Sequence, residues 1–339
     1  MAWADSAAQS GFRPFDRSLS FQRHDGGRRR SMTVGALTRR VAALMASLAF
    51  LATAASAHAA CAVGAPGATV SVDAGGTGRP FLLRRPAGLA AGQPAPLLIL
   101  LHGSGGEGGR MLADSKLEAT AERHGFLVAA PTAAIPAGKG FAWNIPGVPT
   151  VTGKIPDASD ADDVAYLAAL VDGLVAQGCV EPGRVYVTGL SGGGRMASWL
   201  GCVASDRYAA IAPVVGLRAG NPRPDKPHEP DPATCQPRRP MPVIAFAGDK
   251  DTTNPTQGGG AGYWQYTMHA AEQRWAALNG CQAPPTTQWV APSVYEERYS
   301  GCRDNADVVG RMTVGGGHVW LADNDALWAF VSRYRRDGR

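Results

Sequence analysis

The sequence lacks an excess of charge of either sign beyond residue 60. The first 60 positions hold eight of the 33 basic residues and three of the 28 acidic ones, which leaves 25 of each sign in the rest of the chain. A protein that binds nucleic acid needs a basic surface to neutralise phosphates. The balanced chain offers no such surplus, so we expect no nucleic-acid partner.

The N-terminal region lacks an apolar run long enough to cross a membrane. Its run Val41–Ala55 has fifteen residues, and a helix of that length reaches about 22 Å across a hydrocarbon core of about 30 Å. Arg39 and Arg40 precede the run, and small residues follow it. This order is typical of a secretory signal peptide rather than a membrane anchor. Paired arginine is compatible with either general or twin-arginine export, and the choice stays open.

The signal peptide is predicted to cover residues 32–60, with cleavage near Ala59 or Ala60. Residues 1–31 are Arg-rich and have no apolar period, so we interpret them as an extension upstream of a translation start at Met32. We therefore expect an exported protein, either periplasmic or released outside the cell, without a stable membrane anchor.

The cysteines lack the CxxC spacing of zinc sites, and we expect no metal centre. All six follow the predicted cleavage point, and an even number in an exported chain favours disulfides. Residues 286–290 and 295–300 are predicted to form a hairpin whose turn is equidistant from Cys281 and Cys302. We expect these two to be paired across the hairpin. The pairing of the other four stays open: Cys61, Cys179, Cys202 and Cys235.

Short apolar segments alternate with longer helical ones. Runs without polar alternation, such as residues 98–101 and 243–246, are typical of strands buried on both faces. The alternation predicts one α/β domain over residues 61–339, with a mainly parallel sheet and helices on both faces. The predicted strands are 81–85, 96–101, 126–130, 185–190, 209–215 and 242–247, and the predicted helices are 110–123, 160–174, 192–204, 268–278 and 323–333.

The segment Gly189-Leu190-Ser191-Gly192-Gly193 matches the motif G-x-S-x-G between a predicted strand and a predicted helix. In this context the motif is typical of a nucleophile elbow, a tight turn that presents a serine at the end of a strand. Glycine is expected at 189 and 193 because side chains there would collide with backbone. A phosphate-binding turn is the alternative, but neither GxxxxGK[ST] nor GxGxxG occurs at this turn.

A serine nucleophile requires a general base, and histidine has a suitable pKa. His318 follows three glycines after a predicted strand at 306–314. A loop with three glycines could bring the imidazole of His318 to the carboxyl edge of the sheet. We therefore expect His318 to be the base for Ser191.

An acid that orients the base is expected after another strand, and Gly248-Asp249-Lys250-Asp251 follows the strand at 242–247. Either aspartate could serve, and we prefer Asp251 because it lies further beyond the end of the strand. The chain order serine, aspartate, histidine is that of α/β-hydrolases.

The segment His102-Gly103-Ser104 follows an early apolar strand, where the same fold supplies an oxyanion donor. We expect the backbone amides of Ser104 and Gly192 to form the oxyanion hole. We interpret His102 as a residue that holds this loop rather than as a second base.

Tryptophans near the predicted site loops are candidates for substrate contacts. We expect Trp143 and Trp320 to contact substrate and consider Trp264 a weaker candidate. Asp162 and Asp163 precede a predicted helix and could be taken for metal ligands. We interpret them as negative charges that the helix N-terminus favours.

Four segments together, LHGSGGEGG, RVYVTGLSGGGRMASWL, AGDKD and GGGHVW, resemble the secreted esterase family that includes poly(3-hydroxybutyrate) depolymerases and feruloyl esterases. The resemblance covers roughly residues 81–333. It implies an α/β-hydrolase fold, ester cleavage by Ser191, Asp251 and His318, and no metal or organic cofactor. The sequence departs from many members at Ser104, where they have Cys, and at Leu321, where they have Pro.

The expected activity is that of an exported serine carboxylic ester hydrolase that forms an acyl-enzyme. Without a recognisable linker and binding module, the sequence favours soluble or polysaccharide-linked esters, such as feruloyl groups, over crystalline polyester. A poly(3-hydroxybutyrate) or oligomer depolymerase is the main alternative. A serine peptidase, an acyltransferase and an inactive binding protein are less favoured. The charge balance beyond residue 60 favours a neutral ester over an anionic ligand.

Overall fold

A ten-stranded sheet runs through the protein in the computed structural model, which describes residues 61–89 and 92–336. The predicted signal peptide and the extension before it lie outside the described residues. The strands are β1 (Thr69–Asp73), β2 (Pro80–Arg84), β3 (Ala95–Leu101), β4 (Leu127–Pro131), β5 (Ile135–Ala137), β6 (Gly140–Ala142), β7 (Val180–Leu190), β8 (Ala210–Val214), β9 (Val243–Gly248), β10 (Thr286–Ala291), β11 (Val294–Tyr299) and β12 (Val308–Thr313).

The α-helices in the described part of the chain are α1 (Gly108–Ser115), α2 (Leu117–His124), α3 (Asp163–Ala176), α4 (Gly192–Val203), α5 (Met268–Asn279) and α6 (Asn324–Val331). Short 3₁₀ turns occur at Pro232–Thr234 and Arg303–Asn305. No helix in this part of the chain is both long enough and apolar enough to span a membrane.

The large sheet has the strand order β1-β2-β4-β3-β7-β8-β9-β12-β11-β10, and β5 and β6 form a separate pair. The six central strands, from β4 to β12, are all parallel, while the strands outside them are antiparallel. The prediction of a mainly parallel sheet is therefore confirmed. Because parallel strands end at the same edge of a sheet, the loops after β3, β7, β9 and β12 are brought to one side of the molecule.

Two apolar clusters cover the two faces of the sheet. Along β3, Leu97, Ile99 and Leu101 belong to one cluster, while Leu98 and Leu100 belong to the other, and all five are fully buried. The first cluster includes residues of α3, α4 and α5, and the second includes residues of α1, α2 and α6. Since side chains alternate across a strand, this arrangement explains why the sequence of β3 shows no polar alternation.

The structure differs from the predicted elements in the short pair β5 and β6, which was not predicted, and at two further places. The helix expected over residues 110–123 is two helices, because Lys116 adopts the left-handed conformation with φ of 58° and ends α1. Strand β1 was not predicted, since its residues are half exposed and form an edge with little apolar content. Both differences depend on local backbone geometry and packing, which hydrophobic periodicity does not report.

Three disulfides link the described residues. The structure joins Cys281 to Cys302, which is the pair that the hairpin of β10 and β11 predicts. The other two bonds are Cys61–Cys179 and Cys202–Cys235. Three disulfides are typical of a protein that matures in an oxidising compartment.

We expect the disulfides to stabilise the protein according to the length of chain that each closes. Cys61 and Cys179 are 118 residues apart, whereas Cys281 and Cys302 are 21 apart. Loss of the long-range bond should lower the free energy of unfolding by about 5 kcal/mol, and loss of the hairpin bond by about 3 kcal/mol, because the longer loop restricts the unfolded chain more. Urea unfolding of the two double Cys→Ser variants measures both values. Equal losses would show that loop length does not set the effect.

Candidate active site

Ser191 lies at the turn between β7 and α4, at the carboxyl edge of the sheet. Its backbone has φ of 54° and ψ of −111°, a conformation that non-glycine residues rarely adopt. The turn is held by the Ser191 N–H, which donates to the carbonyl of Val214 at 2.9 Å. Strain of this kind persists only where the surroundings impose it. The strand, the strained serine and the helix together have the geometry of a nucleophile elbow.

Glycine is required beside Ser191 because backbone segments approach one another closely there. A Cβ atom at Gly193 would lie 2.2 Å from the carbonyl oxygen of Leu101. A Cβ atom at Gly189 would lie 2.6 Å from the carbonyl carbon of Gly193. Both distances are far shorter than any ordinary contact, so the steric reason expected from the motif applies at both positions.

Ser191, His318 and Asp251 form a continuous series of hydrogen bonds. Nε2 of His318 lies 2.8 Å from Oγ of Ser191, and Nδ1 lies 2.8 Å from Oδ2 of Asp251. A carboxylate can only accept, so Nδ1 carries the ring proton and Nε2 is free to accept the serine proton. The structure therefore brings these three predicted residues together in an arrangement suited to nucleophilic catalysis.

Asp251 is held in place by the chain that follows it. Its Oδ1 accepts hydrogen bonds from the backbone N–H groups of Thr253 and Asn254, at 2.9 and 2.8 Å. The residue is only 4% exposed. Its second oxygen is thereby left for the imidazole of His318.

Asp249, the alternative acid, is engaged elsewhere. Its Oδ1 accepts the N–H of Gly315 at 2.6 Å, at the start of the loop that carries His318. The N–H of Lys250 also donates to the carbonyl of Gly316 at 2.9 Å. Asp249 thus fixes the histidine loop, and Asp251 is the aspartate that contacts the imidazole.

The loop after β3 brings Ser104 against the start of α4. A Cβ atom at Gly192 would lie 2.9 Å from the backbone nitrogen of Ser104, so the two backbones are nearly in contact. The Ser104 N–H makes no backbone hydrogen bond within the described ranges, and the first N–H groups of a helix have no acceptor within it. The two amides expected to form an oxyanion hole therefore lie side by side and have capacity to donate.

His102 has both ring nitrogens engaged in the same loop. Nε2 accepts the N–H of Ala133 at 3.0 Å, so Nδ1 is the nitrogen that donates to the carbonyl of Gly103 at 2.7 Å. Burial lowers the pKa of His102 to about 4, although the bond to Gly103 opposes this shift. His102 is neutral at physiological pH, and its contacts are those of a residue that holds the loop.

The two predicted substrate-contacting tryptophans have different surroundings. Trp143 lines a cleft together with Ser104 and Gly192, and its indole N–H donates to the carbonyl of His102 at 2.8 Å. Trp320 is not among the residues that line this cleft or the cleft beside it. Its indole N–H donates to Oδ1 of Asn324. Its ring packs against the second apolar cluster, the one that includes residues of α1, α2 and α6. Of the two tryptophans, only Trp143 thus lines the same cleft as the two residues whose amides are predicted to form the oxyanion hole.

Asp162 and Asp163 have the roles of helix-end residues. Asp162 accepts the N–H of Ala165 as the N-terminal cap of α3, and Asp163 pairs with Arg79 at 2.7 Å. Burial raises the pKa of Asp163, although Asn144 and Arg79 partly oppose this.

One other group in the described part of the chain has the spacing of metal ligands. Atoms of His269, Glu272 and Glu297 all lie within 4.8 Å of one another. Burial raises the pKa of Glu272, and Glu297 adds to this shift. A hydrogen bond that His269 donates to the carboxylate of Glu272 raises the pKa of His269 despite partial burial. None of the three lines the cleft of Ser104 and Gly192 or the cleft that adjoins it, and the contacts among them are those of an ion-pair cluster.

Sequence patterns did not point to two arginines near the site. Arg195 lies on α4, where its Nη2 donates to Oγ of Ser104 at 3.3 Å, and it lines the same cleft as Trp143. Arg218 lines the adjoining cleft. The one available signal was the position of Arg195 in the first turn of the helix that follows the elbow.

Residues 80–223 match the family model described as esterase PHB depolymerase. Feruloyl esterase B of Piromyces equi is 30% identical over 262 residues, covering 76% of this chain and 45% of that protein. Poly(3-hydroxybutyrate) depolymerase of Ralstonia pickettii is 32% identical over 107 residues, covering 31% of this chain and 20% of that protein. The chain thus spans less than half the length of these curated relatives.

A solved structure has the same fold. Acetyl xylan esterase from Aspergillus awamori superposes with a TM-score of 0.57 at 17% identity, covering 78% of this chain and 99% of that one. At this level of identity the likeness concerns the fold. The predicted α/β-hydrolase fold is confirmed.

Proposed function

We propose that this chain, which is similar over residues 80–223 to the family model described as esterase PHB depolymerase and over 262 residues to feruloyl esterase B, is a serine carboxylic ester hydrolase that works through an acyl-enzyme. The observation that carries the proposal is the hydrogen-bonded series from Ser191 through His318 to Asp251. Its members come from three separate loops at one edge of the sheet. Residues 61–339 would act as a single catalytic domain.

The first half of the reaction transfers the acyl group to the enzyme. Nε2 of His318 accepts the proton of Ser191 while Oγ attacks the ester carbonyl. Asp251 stabilises the imidazolium that results and keeps Nδ1 protonated. His318 then donates its new proton to the departing alkoxide, which leaves as an alcohol.

The second half releases the acid. His318 accepts a proton from water, whose oxygen attacks the acyl carbon, and the proton returns to Ser191 as its bond to the acyl group breaks. In both halves the carbonyl oxygen gains negative charge. The amides of Ser104 and Gly192 are placed to stabilise that charge, and each such donor is typically worth about 3–4 kcal/mol to the transition state.

The proposed substrates are soluble or polysaccharide-linked esters. Support comes from the similarity to feruloyl esterase B. The relative named poly(3-hydroxybutyrate) depolymerase favours a second candidate, cleavage of that polyester or its oligomers. The three disulfides support export.

The two candidate functions are separated by assaying one protein preparation on both substrates. We expect release of ferulate from methyl ferulate, measured by chromatography, and no clearing of a poly(3-hydroxybutyrate) suspension. Clearing of the polyester without release of ferulate would reverse the substrate preference. Inactivity on both, together with no labelling by a fluorophosphonate, would overturn the serine hydrolase assignment.

A further inference from the structure

A second cleft adjoins the one beside the oxyanion donors. The two share three lining residues: Ile145, Val148 and Arg195. The first is lined by Ser104 and Gly192, whereas the second extends to Trp199, Arg218, Asn221 and Tyr263. Arg195 also donates from Nη2 to Oγ of Ser104 at 3.3 Å, so a group bound in the second cleft would lie near the amides predicted to form the oxyanion hole.

Two buried arginines line this second cleft, which we call the arginine cleft. Arg195 and Arg218 are each only 6% exposed. None of the ion pairs in residues 61–89 and 92–336 involves either one. Burial lowers the pKa of both to about 10, so both remain charged at neutral pH. Buried charges are ordinarily paired, and two unpaired ones side by side are unfavourable.

Aromatic rings hold the two guanidinium groups without satisfying their N–H donors. Arg195 lies over the ring of Tyr263 at 3.9 Å, and Arg218 lies over the ring of Trp264 at 3.3 Å. Arg218 also donates from Nη1 to the carbonyl of Tyr266 at 2.8 Å. Stacking on ring faces fixes the planes of the guanidinium groups but leaves their edges free to donate.

The unsatisfied polar atoms of the arginine cleft are all donors. Nε of Arg195, Nε and Nη2 of Arg218, and Nε1 of Trp199 are buried and have no acceptor in the described structure. No buried side-chain acceptor among the lining residues lacks a partner. A ligand that complements this lining must supply several acceptors and negative charge, and a carboxylate supplies both in the planar geometry that a guanidinium matches.

We propose that the arginine cleft binds a free carboxylate of the substrate, and that the enzyme prefers esters bearing a carboxylate near the scissile bond. This inference rests on the proposed esterase function. The balanced charge beyond residue 60 predicted a neutral ester. The sum of the charges does not show where they lie, however, and two cations are concentrated in this cleft.

Matched ester pairs test the preference on either side of the bond. A carboxylate on the acyl side is tested by monomethyl succinate against dimethyl succinate. A carboxylate on the alcohol side is tested by 3-(butanoyloxy)butanoic acid against its methyl ester, with butyrate release as the measurement. We expect kcat/KM to be at least about tenfold higher for the anionic member of one pair. Equal values in both pairs would overturn the proposal.

Variants identify the residue responsible for the preference. In Arg218→Met the anionic-to-neutral ratio of kcat/KM should fall toward one, while in Arg218→Lys part of it should remain because the charge is kept. Arg207→Met is the matched control, since Arg207 is a surface arginine that pairs with Asp172, and its ratio should equal that of the wild type. A ratio that stays at the wild-type value in Arg218→Met would overturn the assignment.

Binding of free succinate tests the carboxylate site separately from the esterase function. The measurement needs no Arg218 variant, so it does not depend on whether such a variant folds. Calorimetry on Ser191→Ala should show that succinate binds and that the uncharged succinamide does not. Binding in a protein that hydrolyses no ester would keep the carboxylate site and overturn the esterase function. Hydrolysis of neutral esters without succinate binding would overturn the carboxylate site alone.

Discussion

Ser191→Ala should abolish ester hydrolysis. We expect kcat to fall by about 10⁴-fold to 10⁶-fold, because without Oγ no acyl-enzyme forms and only the oxyanion donors and substrate binding remain. Alanine should be tolerated at the strained turn, since the hydrogen bond that holds residue 191 to Val214 is a backbone one. The measurements are the rate of hydrolysis of a neutral ester and covalent labelling by a fluorophosphonate, and both should be lost.

The control for this result is Ser293→Ala. Ser293 is exposed in the turn between β10 and β11, so the variant should be labelled and should hydrolyse esters like the wild type. Equal labelling of Ser191→Ala and the wild type would show that another residue is the nucleophile.

Asp251→Asn should give the second largest loss of activity, about 10⁴-fold in kcat. An asparagine that donates its amide N–H to Nδ1 favours the imidazole tautomer in which Nε2 is protonated and cannot accept the serine proton. The shape of the site should be kept, because the amide oxygen can still accept from Thr253 and Asn254. Hydrolysis of a neutral ester and the melting temperature should be measured together.

Asp249→Asn is the matched comparison, two residues away in the same loop. Asp249 contacts the N–H of Gly315 rather than the imidazole of His318. An asparagine oxygen can accept the same hydrogen bond, so this variant should retain most of its activity. If Asp249→Asn instead lost as much activity as Asp251→Asn, the bracing of the histidine loop would be as important as the contact with the imidazole.

The parts of the site that could be predicted are those with a local signature. Ser191 was found because a strand, a glycine-flanked serine and a helix follow one another in sequence, and His318 because three glycines precede it after a strand. Strand β3 was found because its seven residues are buried on both faces. In each case the physical cause acts within about ten residues of chain, so the pattern is visible without the fold.

Other features depend on contacts between distant segments. The sequence favoured Trp143 and Trp320 equally as substrate contacts. Only Trp143 lines the cleft of Ser104 and Gly192, because the segment that contains it packs against the loop after β3. Asp249 and Asp251 differ only in which segment each one meets. The pairing of four cysteines likewise required the positions of their strands and helices.

The sequence by itself predicted the central strands and most helices, and it proposed Ser191, Asp251 and His318 in that order along the chain, because apolar periodicity and short motifs act locally. Only the tertiary structure decided which aspartate contacts His318 and which tryptophan borders the cleft. It alone placed Arg195 and Arg218 in one cleft, where neither has a carboxylate partner among the residues that the structure describes. Whether a charged side chain is buried or paired depends on which segments pack against it in the folded protein. A count of charges along the chain contains no information about that packing.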